Sequence, residues 1–158
     1  MPPLLALDAE VELAGRAGTR RLPLSAFITG NRRTVLAPGE LLVAIHVPKP
    51  AHDARSAFLK LGARRYLVIS IAMAGVTLEI EDERVLSARI AVGACSAVAQ
   101  RLPALEAALA GALVAALADR VDVAHLAPLS PIDDVRGSAA YRRDAVVTLL
   151  RRLLRGFA

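Results

Sequence analysis

An α+β architecture is what these 158 residues predict, and three observations carry the prediction. Two stretches flanking Glu81-Asp-Glu-Arg84 alternate apolar and other residues with period two. From Val98 onward the leucines and alanines take helical spacing instead. A last amphipathic stretch follows Gly137 and Ser138. Three strands followed by helices that cover one face make a layered α+β unit.

The elements follow in chain order. Residues 9–23 read as two short strands: Glu10-Val-Glu-Leu13 alternates, Gly15 to Gly18 turns, and Arg20-Arg-Leu-Pro-Leu24 returns. Ser25 to Gly30 reads as a short helical turn. Ala37-Pro-Gly-Glu40 is a turn before the strand Leu41-Leu-Val-Ala-Ile-His-Val47. Pro48, Lys49 and Pro50 end that strand, since proline has no N–H for a ladder. Pro48 to Asp53 is therefore the best boundary in the chain. A meander follows, with Ser56-Ala-Phe-Leu-Lys-Leu61 as its first strand. In the next strand Ala72, Ala74, Val76, Leu78 and Ile80 face one way, and Met73, Gly75, Thr77 and Glu79 the other. The return strand sets Leu86, Ala88, Ile90 and Val92 against Ser87, Arg89 and Ala91. Alternation on both arms predicts an antiparallel sheet with one buried face.

Leu105, Ala108 and Leu109 form a helical stripe that Gly111 caps. Leu113, Ala116 and Leu117 begin another before Asp119, and a loop from Val123 to Ser130 leads to the final helix. Ser138 suits its N-cap, and the helix reaches about Arg155. Its apolar side holds Ala145, Val146, Leu149, Leu150, Leu153 and Phe157; Asp144, Thr148, Arg151 and Arg155 lie opposite. Arg142 projects into the apolar side. A buried, unpaired guanidinium is very costly, and Asp133 and Asp134 just upstream supply a bidentate acceptor. One reading is an internal salt bridge that fixes how the last helix enters the fold. The other is a contact to a partner subunit.

Composition narrows the function. Apolar residues make up 55% of the chain and aromatic ones 3%, so the core is built from Ala, Val and Leu. The net charge of +5 comes almost wholly from arginines. They stand singly or in pairs without aromatic residues to stack bases, which argues against nucleic-acid binding. The single cysteine, Cys95, excludes an internal disulfide and a multi-cysteine metal site, and reads as a small buried residue. His46, His52 and His125 lack metal-ligand spacing and sit in no nucleophile–base motif. No catalytic acid, base, nucleophile or metal ligand is assigned. No apolar run approaches the ~18 residues of a membrane span, and Met-Pro-Pro-Leu-Leu lacks the basic start of a signal peptide. A cytoplasmic location without a membrane span is expected.

Several segments, taken in order, carry a family resemblance. Leu7-Asp-Ala-Glu-Val-Glu-Leu13, Arg21-Leu-Pro-Leu-Ser-Ala-Phe27 and Glu40-Leu-Leu-Val-Ala-Ile-His-Val-Pro48 come first. Phe58-Leu-Lys-Leu-Gly-Ala-Arg-Arg-Tyr-Leu-Val-Ile-Ser-Ile71 and Ala91-Val-Gly-Ala-Cys-Ser96, with Arg101 and Leu102, come next. Pro131-Ile-Asp-Asp-Val-Arg-Gly-Ser-Ala-Ala-Tyr-Arg-Arg143 closes the set. Together they resemble the FAD-binding medium subunit of the molybdenum hydroxylases, the carbon monoxide dehydrogenase and xanthine dehydrogenase flavoprotein family. The resemblance implies that residues 1–50 are the tail of a PCMH-type FAD-binding domain. It makes residues 54–158 a carbon monoxide dehydrogenase flavoprotein C-terminal-like domain, a three-stranded antiparallel sheet packed on C-terminal helices.

The same resemblance implies a role in electron transfer. A large subunit with a molybdenum cofactor oxidises substrate, a small subunit's iron–sulfur clusters relay electrons, and FAD in this subunit hands them to an acceptor. The ring-side positions it implies are Ile69 and Ser70, with Arg64, Arg65 and Tyr66 just before them. An aliphatic side chain there covers the isoalloxazine face, a hydroxyl or amide reaches its polar edge, and an arginine stabilises the reduced anion. Tyr66 reads equally as a stacking residue or a cap on a sheet edge. Arg64 and Arg65 read as a solvated or salt-bridged pair or as flavin ligands. The family's glycine-rich phosphate loops have no counterpart here: Gly15, Gly18, Gly30 and Gly39 are isolated, and no two glycines are adjacent. The chain is thus expected to be a fragment, a truncated frame or one half of a split protein, inactive alone, with FAD held largely by a region outside it. A truncated, cofactor-free protein that keeps the fold for subunit contacts is the alternative.

Overall fold

Two prolines begin the first element, because their fixed φ suits a first helical turn. They open the short helix α1 (Pro2–Ala6), which the sequence reading missed. The computed structural model describes residues 1–49, 54–64 and 68–158. Strands β1 (Glu10–Gly15) and β2 (Gly18–Pro23) form the expected hairpin. A single turn, α2 (Leu24–Phe27), leads into β3 (Ile28–Gly30) and β4 (Arg33–Thr34), which pair with each other. Strand β5 (Leu41–His46) then returns beside β1, giving an antiparallel sheet of order β2-β1-β5.

The second sheet is the expected meander: β6 (Ala54–Leu61), β7 (Ala72–Glu81) and β8 (Arg84–Gly93), all antiparallel. A two-residue strand, β9 (Gln100–Arg101), adds a fourth member beside β8. Helix α3 (Pro103–Leu109) follows, and the chain reverses at Gly111, whose φ of +73° is the left-handed conformation that favours glycine. Two 3₁₀ turns (Val114–Arg120 and Val123–Leu126) stand where helix and loop were expected. Helix α4 (Ala139–Arg155) closes the fold, with the Ser138 side chain accepting from Tyr141 N–H at 3.1 Å.

Most of the core lies between this sheet and those helices. Ala74, Val76 and Leu78 of β7 and Ile90 and Val92 of β8 meet Leu105, Leu109, Leu117 and Leu150, all essentially inaccessible. One residue departs from the expected face. Glu79 pairs with Ser87, but the next pair is Ile80 with Val85, so Leu86 is the extra residue of a β-bulge. Leu86 is 59% exposed, while Val85 takes the core position at 1%. The hairpin turn explains this irregularity: Asp82 and Glu83 both have positive φ, as a two-residue turn of matching twist requires.

The sheet is also covered on its second face, contrary to the one-face expectation. Helix α1 lies across β7 and β8. A Cβ on Gly75 would sit 3.3 Å from the Pro2 carbonyl carbon, and one on Gly93 only 2.8 Å from Pro2 Cγ. Those two glycines let the helix approach. Arg101 locks it there, donating to Leu5 O at 3.0 Å and to Asp8 while its Nε holds Glu106 at 2.6 Å. A smaller core of Leu5, Ala6, Val11, Leu13, Leu24 and Phe27 reaches Ala91 of β8, joining the two sheets.

The bulge makes a prediction that urea unfolding checks. Val85→Ala should cost on the order of 2 kcal/mol through lost burial and a cavity, whereas Leu86→Ala should stay within about 0.5 kcal/mol. The opposite ranking would put Leu86 in the core.

Candidate functional site: a cleft between the two sheets

The site starts from the connection between β6 and β7. Gly62 leaves room for Val68, since a Cβ there would come within 2.4 Å of the Val68 side chain. Lys60 Nζ donates to Val68 O at 2.7 Å, and Ile71 N–H to Leu61 O at 2.8 Å, so the far end of the segment is tied back to β6. Beside it, β8 ends at Gly93 and Ala94 takes a positive φ of 65°, turning residues 94–99 along the same side.

Helix α4 fastens these two segments together. Arg142 is 1% exposed. Its Nη1 donates to Ile71 O and, at 3.0 Å, to Ala94 O; its Nη2 donates to Asp134 Oδ1 at 2.7 Å. The internal salt-bridge reading of Arg142 is therefore the one the fold adopts. The two aspartates divide the work. Asp133 Oδ1 accepts from Ala139 N–H at 2.6 Å at the helix start, whereas Asp134 Oδ2 accepts from Arg136 Nε at 3.0 Å and from its Nη2. The Arg136 guanidinium, then the Arg136 backbone N–H, and also Arg142 hold the Asp134 carboxyl down at about 2. Cys95 is buried nearby, and burial pushes its thiol up to about 11, which leaves it protonated and unsuited to act as a nucleophile.

Between these segments and the first sheet's turns lies a cleft of about 440 Å³, within the roughly 300–1,000 Å³ typical of small-molecule sites. Ile69, Ser70, Ala94 and Arg136 line it, together with Leu24, Ile28, Asn31 and Arg32 from the stretch between β2 and β5. Pro2 and Leu5 of α1 contribute as well. Ile69 is 70% exposed while its neighbour Ser70 is buried at 6%. An aliphatic surface thus stands open in a mostly apolar slot with polar groups at its margins. Such a slot fits a flat ring system like isoalloxazine. The pyrophosphate end of FAD finds no match, because the chain contains no glycine-rich loop to offer successive N–H groups.

Of the expected ring-side residues, Ile69 and Ser70 come together in the cleft. Arg65 and Tyr66 lie outside the described residues. Arg64 is exposed and is not among the residues lining the cleft. Sequence reasoning missed Arg136 and Arg32. The signal for Arg136 was present in Asp134-Val-Arg136, whose spacing suits a local ion pair, but nothing in it pointed toward residue 69. Among the described residues no cluster of His, Cys, Asp and Glu could hold a metal ion, and no helix is long and apolar enough to cross a membrane.

Known proteins match both halves. Residues 57–157 match the family model of the CO dehydrogenase flavoprotein C-terminal domain. Residues 1–50 match that of the FAD binding domain in molybdopterin dehydrogenase. The carbon monoxide dehydrogenase medium chain of Afipia carboxidovorans is 33% identical over 156 residues, covering 96% of this chain and 53% of that protein. The nicotine 6-hydroxylase medium subunit of Paenarthrobacter nicotinovorans is 33% identical over 153 residues, with 96% and 53% covered. Among solved structures, reconstituted CO dehydrogenase from Oligotropha carboxidovorans superposes with a TM-score of 0.89 at 30% identity, covering 100% of this chain and 57% of that one. The chain spans about half the length of the relatives it matches.

The arginine–aspartate cluster predicts a particular acid response. Because Asp134 has a lower pKa folded than unfolded, its contribution is complete above about pH 4 and is lost as the pH falls toward about 2. Asp134→Asn should therefore be less stable than wild type at pH 7, with the difference shrinking across that window in urea titrations. A gap independent of pH would exclude this role. Arg142→Met should cost on the order of 3 kcal/mol, since it leaves buried acceptors without a donor.

Proposed function

The chain belongs to the CO dehydrogenase flavoprotein C-terminal domain family, and from that membership we propose that it is the C-terminal part of the FAD-containing electron-transfer subunit of a molybdenum hydroxylase. Residues 1–50 are the closing part of the FAD-binding domain, and residues 54–158 the domain that packs over the ring. The partners are a large subunit carrying the molybdenum cofactor and a small iron–sulfur subunit, and the assembly is a cytoplasmic dehydrogenase. Bound FAD accepts electrons from the clusters and passes them to an external acceptor.

One observation carries the reading: the cleft beside Ile69, a side chain left 70% exposed in a slot that residues of α2 and the β3–β4 turn also line. This chain's residues would supply position: Ile69 would cover the ring face and Ser70 would reach its polar edge, with Arg65 and Tyr66 beside them in sequence. The ends of the Ile69 segment are held before any ligand arrives, so ordering costs little on binding. Strand β5 adds support. It is an edge strand with Leu41, Leu42, Val43 and Ile45 exposed, and such an apolar edge suits pairing with further polypeptide. That polypeptide carries the phosphate-binding loops.

An affinity tag on this chain, used to isolate its native assembly, tests the proposal. Acid-released FAD, absorbance near about 450 nm, iron and molybdenum should all copurify with it. Recovery of the chain in an assembly without flavin or molybdenum would sink the reading. Within that assembly, Ile69→Asp should lower FAD retention roughly tenfold without unfolding the chain, because the side chain is mostly outside the core.

A further inference from the structure

Among the described residues lining the cleft, the ionised side chains are Arg32 and Arg136, and none is a carboxylate. The two arginines come from separate parts of the chain. Arg32 sits in the turn between β3 and β4 with a positive φ of 56°, and Arg136 in the run just before α4. Arg136 is held in place: Nε and Nη2 engage Asp134 Oδ2, and its backbone N–H donates to Asp134 Oδ1 at 2.8 Å. Among the described residues its Nη1 has no hydrogen-bond partner. Asp134 does not cancel this charge, because it is shared with Arg142. Two guanidinium groups against one carboxylate leave a net charge of +1 on the three side chains. Asp133 is exposed and turned to the start of α4.

We propose that Arg32 and Arg136 together form a positive clamp by which the cleft favours the anionic form of the ring it holds. The inference rests on the flavin reading above and adds to it the residues that tune the cofactor. Oxidised isoalloxazine is neutral; two electrons from the iron–sulfur relay and one proton from water leave it with one negative charge. A guanidinium gains little from the neutral ring and more from the anion. Because Asp134 already fixes Arg136, no side-chain ordering opposes that gain. The clamp therefore stabilises the reduced state selectively and raises the flavin's reduction potential. Arg64 and Arg65, the arginines the sequence suggested for this task, are not needed for it.

Redox titration of the flavin in the isolated assembly, against a reference dye with dithionite as reductant, tests the clamp. Arg136→Gln should weaken the preference for the reduced anion about tenfold, lowering the two-electron potential by about 30 mV. Arg136→Lys should restore most of that loss. Arg32→Gln should lower the potential in the same direction, and the double variant by about the sum. Wild-type potential in Arg136→Gln and Arg32→Gln, with FAD content intact, would overturn the clamp and leave the flavin reading standing. Absence of flavin from the wild-type assembly would remove both. Should Arg136→Gln fail to assemble, Arg32→Gln decides alone: a lowered potential supports the clamp and an unchanged one refutes it.

Discussion

One buried guanidinium organises this molecule. Arg142 stands on the apolar side of α4, almost wholly out of water, where an unpaired charge would be prohibitive. It survives there because three acceptors from three separate stretches converge on it: Ile71 O, Ala94 O and Asp134. Among the described residues its Nε has no partner, so the arrangement is not ideal as a source of stability. Its consequence is geometric. The end of the β6–β7 connection and the segment after β8 are each fastened to the last helix, and both contribute a wall of the cleft.

The second constraint is closeness. With so few aromatic residues, the core is filled by Ala, Val, Leu and Ile, and the layers come together through small side chains. Gly75 and Gly93 admit α1 onto the back of the second sheet, and Arg101 bonds it in place. This joins the first sheet to the second and brings Leu24, Ile28 and Arg32 to the cleft that Ile69 and Arg136 also line. A single unit would present only half a slot. The open apolar face of Ile69 and the pinned guanidinium of Arg136 thus line one cleft.

Local chemistry accounts for the parts that were legible. The two-fold alternation in β7 and β8, the glycine at 111, the serine at 138 and the apolar stripe from Ala145 to Leu153 each act within a few residues of themselves. The misses share a different cause. Leu86 fits the alternation perfectly, yet a bulge beside the turn gives its place to Val85, and only the cross-strand register reveals that. Helix α1 is too short for any periodicity to show. Gly75 and Gly93 look like weak points in strands until a helix is seen lying on them.

The amino-acid order alone set the strands β1, β2 and β5 to β8, the last helix and its cap, and the need of Arg142 for an acceptor close by in sequence, because propensity, periodicity and short-range pairing are decided between near neighbours; β3, β4 and β9, too short to show a pattern, were not legible. It also held the ordered segments that mark the family. Which residues share the cleft was decided by packing. Arg32 and Arg136 are separated from Ile69 by long stretches of chain, and they line one cleft with it in a fold where α1 lies on the sheet and Arg142 ties two loops to one helix. Contacts of that range depend on how layers stack, and no local pattern records them.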